Sequence, residues 1–332
     1  MQDNDESNAK PKFLPEKLFL IIKWIFVLIL GVILYRIFQQ KQQNYSDLLT
    51  EFSKIFNAKN LFKLSLVFTF IIVNWACEAK KWQILINKFE KLTFIDAYQS
   101  VLVGLTLGFV TPANLGDFAG RIMNLQKKNR SEGIGTILLG NGIQFYVTLT
   151  FGIIAYLLIW TNNLTIFDQI IFGLLICCFF LGLIVFYKRT KILIFFNRFT
   201  WIKPYETYLK ALTLFENKVF IKVFIWTTLR FLTYSLQFVI MLQIFQINVK
   251  FIDLWAISCL VLLFKTLFPS INFLSDLGVR QISALHFFSF YSVNILSVIT
   301  ATFALWIINI LLPVLVGSIL FLRIKNNNKS IL

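Results

Sequence analysis

The amino-acid sequence predicts an all-α, polytopic integral membrane protein. It should have six to eight transmembrane helices and two proline-broken, re-entrant segments, an arrangement that would fit an inverted repeat. Three observations carry this expectation. The 332 residues are 58% hydrophobic and 17% aromatic, with only 14% charged. Several apolar runs reach the roughly 20 residues that a helix needs to cross the hydrocarbon core. Two shorter apolar runs stop at a proline followed by glycine and charge, where a spanning helix would be expected to continue.

The first 17 residues are polar and are expected to be a disordered cytoplasmic N-terminus. Residues 18–38 follow as the first transmembrane helix, since the run is too long for a signal-peptide core and lacks a small-residue cleavage site. Further full spans are read at 61–77, 136–160, 166–187, 219–245 and 293–322, the last being either one crossing or two. The short pieces are 97–110 and 252–268, ending at Pro112 and Pro269. Residues 18–322 thus form a single transmembrane domain, with 323–332 a cytoplasmic tail.

The formal net charge is +16, which in a soluble protein would raise the question of nucleic acid. Here the basic residues mark orientation, and no nucleic-acid partner is expected. The segments before 18, 78–98, 121–132, 188–222 and after 322 hold 22 Lys or Arg, against 4 in 39–60, 161–165 and 247–252. The positive-inside rule makes the first group cytoplasmic and places both termini inside. Both flanks of 97–120 are then on one side, so that segment enters and leaves by the cytoplasmic face as a hairpin. The second broken piece either enters from the outer face or crosses fully. Two hairpins from opposite faces would match an inverted-repeat transporter with its site near the midplane. Segment 188–222 mixes eight basic residues with Phe195, Phe196, Phe199, Trp201, Tyr205 and Tyr208. It reads equally as a segment lying on an anionic leaflet or as an ordinary loop.

The first broken stretch reads "TPANLGDFAGR" (111–121). Thr111 is a good N-cap and Pro112 suits a first helical turn, so a helix should begin there with its unpaired N–H groups facing the midplane, where they attract an anion. Gly104/Gly108 and Gly116/Gly120 are GxxxG pairs that let two helical arms approach closely. Asp117 and Arg121 are spaced to pair on one helix face. The second stretch, "FPSINFLSDLGVRQ" (268–281), repeats the order loosely. Ser275 is read as the cap, followed by Asp276 and Arg280. Arg230 lies within a span and Lys265 just before Pro269. A charge within the bilayer costs on the order of 2.5–3.5 kcal/mol even on the lenient insertion scale. The candidate substrate-binding residues are therefore Thr111, Asn114, Asp117, Arg121, Arg230, Lys265, Ser275, Asp276 and Arg280. The competing reading makes the charges structural ion pairs and snorkelling side chains. Glu78 could line the same cavity, although a pair with Lys80 or Lys81 is the simpler role. Trp75 and Trp82 are read as interface anchors, and His286 as a helix-packing residue. Cys77, Cys177, Cys178 and Cys259 lack zinc-site or disulfide-framework spacing, and neither a metal nor another cofactor is expected.

"VGLTLGFVTPANLGDFAGRIMNL" with "GNGIQFYVTLTFG" resembles the first signature of the flippase-like transmembrane family. That family includes the membrane domain of lysylphosphatidylglycerol synthase, the multiple peptide resistance factor. "FPSINFLSDLGVRQ" resembles its second signature and "NWACEAKKW" its second-helix motif. The chain departs from the pattern in having Pro112-Ala113-Asn114 for Pro-Asn-Arg or Pro-Gly-Arg, Gly116-Asp117 for Gly-Glu, and Arg280-Gln281 for Arg-Glu. The resemblance implies a lipid flippase of a bacterial inner membrane that binds and translocates an anionic or lipid-linked headgroup. Without a soluble aminoacyltransferase domain, it implies lipid movement or binding rather than synthesis. Membrane lipids with anionic headgroups are the expected partners, and a homo-oligomer or a protein partner is compatible with the sequence. The residues also leave open a membrane-embedded transferase, for which Asp47 and Glu51 are candidate carboxylates, and a non-transporting scaffold.

Overall fold

The structure is a computed structural model; it describes residues 50, 53, 57–159, 166–196, 198, 210, 213–268 and 273–329. The readings of 1–17 and 18–38, Asp47, Glu51, Pro269 and the aromatic residues Phe199, Trp201, Tyr205 and Tyr208 lie outside these. The described residues are helical almost throughout and contain no strand. In chain order they form α1 (Leu61–Ile86), α2 (Phe94–Val110), α3 (Leu115–Ile122), α4 (Arg130–Ile159) and α5 (Ile166–Phe196). Then come α6 (Asn217–Ile244), α7 (Phe251–Leu267), α8 (Phe273–Phe288), α9 (Ile295–Trp306) and α10 (Leu312–Lys329). Among the described residues, five helical stretches are long and apolar enough to cross a bilayer: Leu61–Ile86, Lys127–Ile159, Gln169–Phe195, Asn217–Ile244 and Ile295–Arg323.

The first of these runs well past the expected end at residue 77. Glu78, Lys80 and Lys81 look like a polar terminus in sequence, yet Glu78 and Lys81 are buried and paired three apart on the helix, so their charges do not stop it. Trp75 and Trp82 are buried too, at 6% and 1% exposure. They are packing residues and not interface anchors, both within one apolar cluster that includes Ala97 and Val101 of α2.

A loop of a few residues leads to α2, where Thr93 Oγ1 accepts from the Asp96 amide and donates to the Asp96 carboxylate. The chain turns after Val110 and returns as α3 against α2. The two glycine pairs make this approach possible. A Cβ on Gly116 would strike the Leu107 carbonyl, and one on Gly120 would sit 2.5 Å from the Gly104 Cα. On the far side of the hairpin, Glu90 accepts from the Gln126 amide (3.0 Å) and Asn129 Nδ2 (2.8 Å), tying together the segments that enter and leave it. Arg130 closes the end of α3 by donating to the Met123 and Leu125 carbonyls.

Residues 293–322, open to one crossing or two, form one continuous helical stretch, Ile295–Arg323, long and apolar enough to cross once. Asn294 caps α9 by accepting from the Leu296 amide, and the helix continues through a π-helical turn, Ile307–Leu311, into α10. Pro313 explains the turn. It has no N–H to offer the carbonyl of Asn309, so the ladder widens there rather than breaking. The freed Asn309 carbonyl accepts from Trp75 Nε1 at 3.2 Å. Gly317 then lets α10 lie directly on Leu102 and Thr106 of α2, and Thr106 Oγ1 donates to the Val314 carbonyl.

The main core gathers side chains of α4, α6, α7, α8 and α9, including Leu149, Phe238, Leu260, Ala284 and Val298. His286, read as a packing residue, is instead exposed near the end of α8, with its ring edge-on to Phe287 and Phe290.

Candidate functional site

Two polar stripes cross the apolar faces of α1 and α6. On α1, Asn74, Glu78 and Lys81 succeed one another at intervals of four and three residues; on α6, Arg230, Tyr234 and Gln237 do the same. Such spacing puts each trio on one helix face. The stripes meet at Glu78, whose side chain is 1% exposed. Its carboxylate lies 2.7 Å from Lys81 Nζ, 2.7 Å from an Arg121 nitrogen and 2.9 Å from an Arg230 nitrogen. Gln144 Oε1, from α4, accepts from both Lys81 (3.0 Å) and Arg230 (2.5 Å). Arg121 reaches back one helical turn to Asp117 at 2.8 Å, as the spacing in α3 predicts.

A second cluster stands across from the first. Arg280 donates to Asp276 at 2.9 Å on α8, again four residues apart, and Lys265 at the end of α7 lies 3.5 Å from the same carboxylate. Arg280 also hydrogen-bonds the Tyr234 hydroxyl and lies over its ring at 5.5 Å. Arg230 stands over the ring of Trp75 at 5.4 Å. A guanidinium held over a ring still presents its edge N–H groups, here directed to Glu78 and Gln144 and to Asp276 and Tyr234.

Both clusters line one cavity of about 380 Å³. Its charged walls are Arg121, Arg230, Lys265 and Arg280 against Glu78, Asp117 and Asp276. Lys81 adds a further cation behind Glu78. Every carboxylate is held by at least one cation, and the cations outnumber them. Asn74 and Asn309 also line the cavity and are 3% and 2% exposed. Their Oδ1 atoms, together with Arg230 Nε, find no hydrogen-bond partner among the described residues. Buried polar atoms are ordinarily satisfied, so a cavity bordered by several that are not is suited to a polar guest.

Of the residues expected from sequence, Asn114, Asp117, Arg121, Arg230, Lys265, Asp276 and Arg280 line the cavity. Thr111 and Ser275 do not appear in its lining; Thr111 stands at the N-cap position of a single 3-10 turn, Pro112–Asn114, without a side-chain cap bond to it, and Ser275 is not a cap. Ala113 and Asn114 adopt left-handed backbone (φ 51° and 55°), which delays the start of α3 to Leu115. Thr111 serves the turn instead, donating to the Leu107 carbonyl (2.8 Å) and accepting from the Gly116 amide (2.7 Å). Ser275 falls inside α8, which is already helical at Phe273, and is fully buried. The residues that sequence reading missed are Asn74, Gln144, Tyr234 and Asn309, and Glu78 was given too small a part: it pairs with Lys81 and lines the cavity as well.

Fold and site together define a class: a multi-pass helical membrane protein that converges ionised side chains from five helices on one internal cavity. The chain matches the family model of the lysylphosphatidylglycerol synthase TM region over residues 20–317, and it belongs to that family. No curated protein matches it individually.

Proposed function

We propose that this protein binds the anionic headgroup of a membrane lipid in the charged cavity and passes that lipid between leaflets, as a flippase-like transporter. The observation that carries the reading is the excess of cations in a cavity of headgroup size. Arg121, Arg230, Lys265 and Arg280 face it, and ligand pockets run from about 300 to 1,000 Å³. A phosphate oxygen entering there would meet guanidinium and ammonium donors that are already positioned, and charge-assisted hydrogen bonds are the strong ones. Cations alone would trap an anion. The carboxylates of Glu78, Asp117 and Asp276 share the same donors and offer each of them a resting partner when the headgroup leaves.

In this reading the α2–α3 and α7–α8 pairs are the two broken hairpins, each delivering an Asp and an Arg one turn apart to the cavity. The α2–α3 hairpin is re-entrant from the cytoplasmic side, supported by the Glu90 bridge between its flanks and by their basic residues. The membrane is the bacterial inner membrane, with both termini cytoplasmic.

The test is leaflet exchange in proteoliposomes, using a fluorescent phosphatidylglycerol and dithionite quenching of the outer leaflet. The protein should accelerate exchange and return the lipid with unchanged mass. Lys265→Gln and Arg280→Gln should each slow it by about tenfold, the equivalent of one charge-assisted contact of about 1.5 kcal/mol, with melting curves showing that the variants remain folded. Equal rates with and without protein would defeat the reading, and a lipid of altered mass would establish a transferase.

A further inference from the structure

A second cavity, of about 750 Å³, lies between α4, α5 and α6 and shares no lining residue with the charged one. Its walls are almost wholly apolar, with Leu138 and Phe145 from α4, Leu181 and Gly182 from α5, and Phe224 from α6. The one charged side chain in the lining is Arg189, the last α5 residue to border it. We propose that this groove is a binding site for an anionic diacyl phospholipid, holding one acyl chain along its length and the phosphate at Arg189.

The groove exists because of glycines. Gly142 faces it, and a Cβ added there would meet nothing within 4 Å. At Gly182 the missing side chain leaves room for the ring of Tyr146, which would lie 2.5 Å from an added Cβ and which stacks on Phe179 at 5.2 Å between centroids. The wall is therefore shaped by an aromatic ring folded against a helix backbone. The groove borders α5, whose most apolar window is only 6% buried within the protein, so its surroundings are hydrocarbon in a membrane.

Arg189 supplies the polarity of the site. Its guanidinium lies 4.6 Å from the Phe220 ring and 5.4 Å from the Phe186 ring, and donates to Asn217 Oδ1 (2.8 Å) and the Phe215 carbonyl (3.3 Å). Two aromatic faces and two acceptors orient it at the junction between the apolar groove and the helix ends. In sequence, Lys188 and Lys191 flank Arg189, where α5 kinks at Lys188, and Lys218 and Lys222 fall in the first turns of α6, while the acidic residues nearest these helix ends among the described residues are Glu132 and Glu216. An apolar slot that ends in a surplus of cations has the polarity of a phospholipid with a net negative headgroup. A zwitterionic lipid would fill the slot equally and gain less at its mouth.

The test is photolabelling in vesicles with phosphatidylglycerol or phosphatidylcholine carrying a diazirine midway along one acyl chain, followed by peptide mapping. Adducts should concentrate on residues 138–146, 178–186 and 220–224, with phosphatidylglycerol labelling about fivefold more than phosphatidylcholine, as expected for one or so additional cationic contacts at the headgroup. Gly142→Leu places a side chain in open space, so the fold is kept, and groove adducts should fall by about tenfold through loss of the apolar slot. Arg189→Gln should erase the preference for phosphatidylglycerol while leaving chain labelling in place. Arg280→Gln, in the charged cavity, should leave groove adducts unchanged, which keeps this result separate from the transport reading. Adducts spread evenly around the lipid-facing helices would overturn the proposal. So would groove adducts indifferent to Gly142→Leu, or a groove that another segment or a second copy closes to the probe.

Discussion

Glu78 sits at the centre of the charged site because, among the described residues, it is the carboxylate bonded to three cations at once, from its own helix, from α3 and from α6. Removing its charge leaves Lys81 and Arg121 buried, and Arg230 partly so, with Gln144 and Asp117 to answer them. Breaking a buried pair on one side typically costs about 3–5 kcal/mol, because the abandoned charge keeps its desolvation penalty. Glu78→Gln should therefore lower the thermal midpoint sharply, and the double change with Arg230→Gln should restore part of the loss. A thermal-shift series in detergent measures both, and simple additivity of the two single changes would contradict the coupling. At this scale the sequence was partly legible. The Asp117/Arg121 and Asp276/Arg280 pairs could be read from a four-residue interval, since both partners share a helix. The link from Glu78 to Arg230 could not, because it depends on α1 lying against α6. Even so, the intervals of four and three at Asn74, Glu78 and Lys81, and at Arg230, Tyr234 and Gln237, were a helical polar stripe available to be counted.

Among the elements, the α2–α3 hairpin is specified by small residues more than by its caps. Thr111 and Pro112 look like a helix start, and the left-handed turn at Ala113 and Asn114 moves that start to Leu115. Cap residues are compatible with several turns of the chain, whereas a glycine that touches a neighbouring backbone admits only one. Gly116→Ala would drive a Cβ into the Leu107 carbonyl, and neither backbone can yield without separating the arms. That change should cost about 1–3 kcal/mol, as overpacking does. Gly173→Ala in α5, where an added Cβ meets nothing within 4 Å, should be neutral or stabilising by up to about 1 kcal/mol through helix propensity. Comparing the two melting midpoints separates the packing role of Gly116 from the general effect of glycine in a helix. The long C-terminal helix shows the converse limit. A proline within a helix ordinarily breaks or kinks it, yet at Pro313 the π turn and the Trp75 donor satisfy the carbonyl it abandons, and the helix continues.

For the whole molecule, hydropathy and charge counts were enough to find the long helices and the two interrupted ones, because both follow from composition over 15 or more residues. They could not show that the interrupted segments, far apart in the chain, border one cavity, which is a fact of packing among α1, α3, α6, α7 and α8. The orientation of the α2–α3 hairpin is where the two kinds of evidence meet. Basic residues flank it on both sides, and Glu90 holds those flanks together through Gln126 and Asn129. If both flanks lie on one face, as their basic residues predict, the segment between α1 and α4 must return to the face it left. Lys91 and Lys128 are exposed on the two flanks and suit single-cysteine labelling on a background with all four native cysteines replaced. Lys91→Cys and Lys128→Cys should both react with a membrane-impermeant maleimide in inverted vesicles, and neither should react in intact spheroplasts. Reaction of the two positions from opposite faces would make 94–122 a full crossing and invert the orientation of everything that follows it. Reaction of both only from outside would keep the hairpin but reverse the molecule in the membrane.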